Sequence, residues 1–140
     1  MSPGLLSHKA IGGGNVYSYD VGTGAWTDLS VAAEKVVSHL VLTDTYAYLD
    51  SSGDVYIELL GEAAINLDSD KTFAISDFDM NVVATIAAIA DDGEAYTLAI
   101  GSLDYTAISP SVTTVLSGNL VSVCLDSVNN VGVVDDTGAC

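Results

Sequence analysis

One phrase returns along this chain at nearly equal intervals, and it limits the possible folds more than any other feature. Gly53-Asp54-Val55-Tyr56-Ile57 is preceded 39 residues earlier by Gly14-Asn15-Val16-Tyr17-Ser18 and followed 40 residues later by Gly93-Glu94-Ala95-Tyr96-Thr97. A shortened copy closes the sequence, where Asn130 to Ala139 echoes Asn15 to Ala25 with one residue deleted. Self-similarity at a fixed period is the signature of a repeat architecture, each repeat being one supersecondary unit that buries its apolar face against the next. The repeat starts lie near 14, 53, 93 and 130, and residues 1–140 are expected to form a single domain of three repeats and a terminal hairpin.

Each copy has the same local grammar. An apolar, β-rich run (Leu5 to His8, Val36 to His39, Val82 to Thr85, Leu120 to Val123) leads into a Gly, Asn or Asp cluster and then the recurring phrase. The clusters are Gly12 to Gly14, Asp50 to Gly53, Asp91 to Gly93, and Asn129 and Asn130, which supply the positive φ angles of tight hairpin turns. Short strands are predicted after the first three hairpins, at Ala25 to Leu29, Ala63 to Leu67 and Asp104 to Ile108. Thr72 to Ser76 and Val112 to Leu116 are predicted to lead into the next module, with only Val31 to Lys35 in that place after the first. Ala32 to Lys35 has helical propensity, but the β-branched run that follows favours a strand. Strand, hairpin, strand is a four-stranded antiparallel meander, the size of a propeller blade.

Gly12-Gly13-Gly14-Asn15-Val16-Tyr17-Ser18-Tyr19-Asp20, with Thr23, Trp26 and Leu29 after it, resembles the kelch-type β-propeller phrase, in which a glycine pair precedes Val-Tyr-x-Tyr-Asp and a Trp closes the blade. Ala87 to Thr97 is similar instead to the hairpin of regulator-of-chromosome-condensation-type propellers. The resemblance implies an all-β protein of propeller-like blades. An antiparallel β-sandwich or small barrel is the alternative.

The repeat number bears on function. Propellers close with about four to eight blades, so three repeats and a hairpin leave sheet edges and faces that another chain can cover. A homo-oligomer or larger assembly is expected.

Charge and composition exclude several classes. Nineteen acidic residues against three lysines, with no arginine, give a net charge of −16, which repels phosphate backbones, so nucleic-acid binding is not expected. At 49% hydrophobic residues the chain nonetheless has the material for a core. Met1 to Ala10 has no apolar stretch of signal-peptide length, and Val82 to Ala90, broken by Thr85, is far shorter than the roughly 20 residues of a membrane span. Synthesis in the cytoplasm without membrane insertion is the expectation. Cys124 reads as a small buried strand residue and Cys140 as a terminal thiol, with no ligand spacing for zinc.

Little in the chain points to a reaction. His8 and His39 follow Ser7 and Ser38, but strand neighbours point to opposite faces, so neither pair can act as base and nucleophile. Gly12 to Gly14 has no downstream Lys for a phosphate loop. Among the acidic clusters, Asp68 with Asp70 and Asp77 with Asp79 are the candidate metal ligands, because Asp-x-Asp presents two carboxylates on one side of an extended backbone. Ca2+ is the cation they would suit, yet no EF-hand loop is present and solvated turn carboxylates are the favoured alternative. Tyr17, Tyr56 and Tyr96 share a repeat position and are expected to pack between repeats, whereas Trp26, Tyr46, Tyr48 and Tyr105 are the candidate ligand-binding aromatics.

Two function classes follow. The first is a non-enzymatic structural protein acting by self-association, as in a virus particle (virion). The alternative is a ligand-binding module, lectin-like and directed at glycans.

Overall fold

The structure, a computed structural model, describes residues 7–39, 45–59, 62–99, 101–109, 111–112, 116, 118–138. The chain is all-β, built of antiparallel meanders, and divides into two compact units, residues 1–66 and 67–140. Among the described residues no helix is long and apolar enough to cross a membrane.

The first unit holds two sheets. β1 (Ser7–Gly12), β2 (Asn15–Asp20) and β3 (Ala25–Ala32) form a three-stranded meander; β4 (Lys35–Ser38), β5 (Tyr46–Leu49), β6 (Val55–Glu58) and β7 (Ile65–Asn66) form a four-stranded one. No helical turn forms between Val31 and His39, since β3 runs to Ala32 and β4 starts at Lys35; 40–42 lie outside the described residues. Gly12 pairs with Asn15, leaving Gly13 and Gly14 as a two-residue turn with φ of 58° and 83°. Two consecutive positive φ angles favour glycine there and match the twist of the flanking strands. Val16, Leu29 and Val31 of the first sheet pack on Tyr46, Tyr48, Tyr56 and Val36 of the second.

The second unit repeats the plan. β8 (Ile75–Met80), β9 (Thr85–Ala90), β10 (Ala95–Ala99) and β11 (Thr106–Ala107) form a four-stranded meander, followed by the hairpin of β12 (Leu120–Leu125) and β13 (Val131–Asp135). Ala87, Ile89 and Ala95 on one face of the meander pack on Val123 and Leu125 of the hairpin.

The three Gly-x-x-Tyr phrases occupy corresponding places, each opening the second strand of a hairpin, with φ of 83°, 84° and 85° at Gly14, Gly53 and Gly93. A five-residue loop of one type joins β5 to β6, β9 to β10 and β12 to β13: the first residue's N–H donates to the fifth residue's carbonyl and the fourth takes positive φ. Where the first residue is Asp its carboxylate also accepts two loop N–H groups, from Ser52 and Asp54 at Asp50 and from Val128 and Asn130 at Asp126.

The same loop occurs once where sequence reasoning placed a strand. Val82 to Ala84 is a turn, not the head of a β-run, because the Asn81 amide oxygen accepts from Val83 and Thr85 N–H while Ala84 adopts φ 60°. Val82 and Val83 are consequently exposed and β9 starts at Thr85. The lead-in strand accordingly runs later than Thr72 to Ser76, over Ile75–Met80. Leu5 and Leu6 and most of Val112 to Leu116 lie outside the described residues. Cys124 is on β12 as expected but exposed, because alternation along the strand turns Val123 and Leu125 to the core and Cys124 to the opposite face.

Candidate functional site

Strand alternation and cross-strand register decide which side chains share a face. In the second sheet Val36 lies opposite Tyr48, and Tyr48 opposite Tyr56; the Tyr48 and Tyr56 rings stack with centroids 5.2 Å apart. This tyrosine face is the one that meets the first sheet, and Tyr46 and Tyr48 retain only 3% and 8% exposure. Lys9 lies 5.4 Å from the Tyr46 ring centre, a cation–π contact. Burial, reinforced by the Glu58 carboxylate, pushes both hydroxyls up from their ordinary value. Tyr46 and Tyr48, two of the candidate ligand-binding rings, therefore sit inside the core rather than on a surface that a sugar could reach.

The first sheet carries the corresponding face uncovered. Tyr17 is the repeat counterpart of Tyr56, and Ala10 lies opposite it; His8, Tyr19 and Trp26 lie opposite one another in the next row. Trp26 is 56% exposed and tilted against Tyr19 with centroids 4.9 Å apart. Ala10, Ile11, Gly12, Tyr17 and Trp26 line a shallow apolar recess of about 320 Å³. At its polar margin the Asn15 amide donates to the Asp28 carboxylate at 3.4 Å, and that carboxylate also accepts from Ser30 N–H at 2.8 Å. Ser30 has φ 57°, so Asp28 holds a bulge in place. An exposed Trp in a row of tyrosines beside amide and carboxylate groups is suited to bind another apolar surface or the C–H face of a sugar.

Tyr105, the remaining aromatic candidate, belongs to a separate cluster. Phe73 stacks on Tyr96 at 4.2 Å, and Tyr105 meets both edge-on at 6.0 and 6.2 Å. The Tyr96 hydroxyl donates to the Asp92 carboxylate; burial and this contact push its pKa up to about 12.

The acidic candidates separate into two arrangements. Asp68 and Asp70 come together with Asp104, a residue that sequence reasoning missed, with carboxylate oxygens within 4.8 Å of one another. Asp68 has φ 56° and accepts from Tyr105 N–H at 2.9 Å. Desolvation, and then the neighbouring Asp70 and Asp104 charges, raise its pKa. One oxygen from each carboxylate gives three, where calcium takes about six to eight. Asp77 and Asp79 point elsewhere. Their register partners on β9 are Ile89 and Ala87, which places them on the face that packs on β12. There Asp77 accepts from Val123 N–H at 3.0 Å and Asp79 from Leu125 N–H at 2.8 Å. Asn81, buried and two residues further on, donates to the Asp126 carbonyl and to the Asn129 side chain. Two alternate side chains of β8, with Asn81 just beyond its end, thus take the place of a neighbouring strand along β12. Nothing in the local sequence marks this, since the partners are backbone groups some 45 residues away.

No protein-family description matches the chain, and no curated protein matches it. Among 33 matching solved chains is the structure described as YCF48 bound to D1 peptide, a β-propeller protein, with a TM-score of 0.55 and 9% sequence identity. The match covers 91% of this chain and 45% of that one, so the chain spans less than half of the neighbour's length. At that identity the likeness concerns the fold alone: this is an all-β chain of antiparallel, propeller-like meanders.

Proposed function

We propose that this chain is a non-enzymatic structural module that works by self-association, as a component of a virus particle or a comparable shell. The observation that carries the proposal is the open aromatic face of β1–β3. Its counterpart in the second sheet is buried against a neighbouring sheet, while Trp26 remains 56% exposed. Contiguous exposed apolar surface of this kind marks an interaction site. At a net charge of −16 the copies repel, so their contact must be apolar or cation-bridged, and salt strengthens it by screening. Sedimentation velocity in low and high salt tests this. A multimer favoured by salt is expected, and a monomer under both conditions would defeat the proposal.

Trp26 also favours a second reading, a glycan-binding surface, because its ring is exposed beside Asn15 and Asp28. A glycan array separates the two. Binding that is lost in Trp26→Ala, by a protein that stays monomeric, would support the lectin-like role over assembly.

A further inference from the structure

We propose that the cleft between the β9–β10 loop and the segment leading into β12 binds an aliphatic primary ammonium group, of the kind carried by a free diamine or a lysine side chain. The cleft lies wholly within residues 67–140 and is independent of whether the chain self-associates.

Two walls, each fixed from behind, bound a recess of about 560 Å³, within the roughly 300–1,000 Å³ of small-molecule sites. One wall is the end of β9 and its loop, with Ser76 of β8 beside it. A reciprocal pair holds this wall: Asp91 N–H donates to the Ala74 carbonyl at 2.9 Å, and Ala74 N–H donates to the Asp91 carboxylate at 3.0 Å. The other wall is Leu116 with Gly118, Asn119 and Leu120. Behind it Asp135, only 2% exposed, accepts from Gly118 N–H at 3.2 Å, and the Asp136 carboxylate accepts from the backbone and side-chain amides of Asn119, each at 3.2 Å. Gly118 makes this grip possible, since a Cβ there would come within 2.8 Å of the Asp135 carboxylate and closer still to that of Asp136. A cleft whose walls are already held has little ordering left to do on binding.

The lining selects the ligand chemistry, because its donors are spent and its acceptors are not. The N–H groups of Ala90, Asp91 and Gly93 donate to the carbonyls of Glu94, Ala74 and Ala90 in that order, and those of Gly118 and Asn119 donate to Asp135 and Asp136. The Ser76 hydroxyl donates to the Ile89 carbonyl and the Asn119 amide nitrogen to Asp136. What remains among the lining side chains is acceptor: the second oxygen of the Asp91 carboxylate, the Asn119 amide oxygen and the lone pairs of Ser76 Oγ. An ammonium group brings three donors and no acceptor, and it carries the charge that the Asp91 carboxylate attracts. Leu116 and Leu120 supply apolar surface for its carbon stem. An anion meets no cation here, since Lys71, the only lysine of residues 67–140, is not part of the lining. A polyol fits less well, because its own oxygens would find few donors left.

Titration of the full chain, followed through its backbone amide resonances, tests the site. Cadaverine and acetyl-lysine amide are expected to shift the amides of Ala90, Gly93, Gly118 and Asn119 saturably, and neutral pentanediol at equal concentration is expected to leave them in place. Saturation by one amine and not the other supports the site and identifies the source of the group. Asp91→Asn keeps an oxygen to accept from Ala74 N–H and removes the charge; it should weaken binding at least about tenfold, the loss of one charge-assisted hydrogen bond. Asp20→Asn makes the same change of charge in the first unit and should leave binding unchanged. Equal weakening in the two variants would mean diffuse attraction to a chain of −16 charge and would overturn the site, as would amides that do not shift or never saturate. Pentanediol binding as tightly as cadaverine would overturn the assignment to an ammonium group.

Discussion

Replacing Asp77 and Asp79 together by alanine should loosen the β12–β13 hairpin without unfolding the meander that carries them. Each carboxylate accepts one backbone N–H of β12, at 3.0 and 2.8 Å, from residues two apart on the strand. A hydrogen bond to a charged group contributes about 1.5–3 kcal/mol; both aspartates are half-buried, so the lower figure applies, giving about 3 kcal/mol for the pair. That is a large share of the roughly 5–15 kcal/mol that holds a domain folded. At one power of ten per about 1.4 kcal/mol, the amides of Val123 and Leu125 should exchange with solvent over about a hundredfold faster. The double asparagine variant keeps an acceptor oxygen at each position and should recover most of the protection. Unchanged exchange at these two amides in the alanine variant would refute the reasoning, as would amides already unprotected in the wild type.

Three further outcomes follow. Asn81→Ala removes two donated and two accepted hydrogen bonds from a buried side chain and should cost about 3 kcal/mol, read from the midpoint of a urea transition. Gly93→Ala meets no atom within 4 Å, so its cost is confined to strain at φ 85°, about 1 kcal/mol, with the denaturant slope unchanged. The Tyr96 hydroxyl holds its proton more tightly in the folded chain than its ordinary value of 10; its contribution is therefore fully present below pH 10 and is lost as pH rises through about 12, and Tyr96→Phe should flatten the alkaline limb of a stability–pH curve.

The hairpins were legible because their turns need glycine or Asx chemistry, and those residues recur with the period: Gly14, Gly53 and Gly93 all mark positive φ at the same point of a hairpin. The loop at Asn81 was not, since its left-handed residue is Ala84 and its tip is Val82 and Val83, which read as strand. The usable signal was Asn81 standing four residues before the loop's end, as Asp50 and Asp126 do in theirs. The open face was half legible. Trp26 and the repeat tyrosines could be singled out by type and spacing, but whether a ring is covered depends on the adjoining sheet, and so Tyr46 and Tyr48 lie in the core while Trp26 does not. Asp104 joined Asp68 and Asp70 through a loop contact that no spacing announces.

Trp26 is the only tryptophan in the chain, so its fluorescence reports directly on the face at issue. If copies of the chain cover that face, the emission maximum should shift to the blue as protein concentration rises, and at lower concentration when salt screens the −16 charge. An emission maximum that stays constant across the full dilution series in both low and high salt would contradict the account.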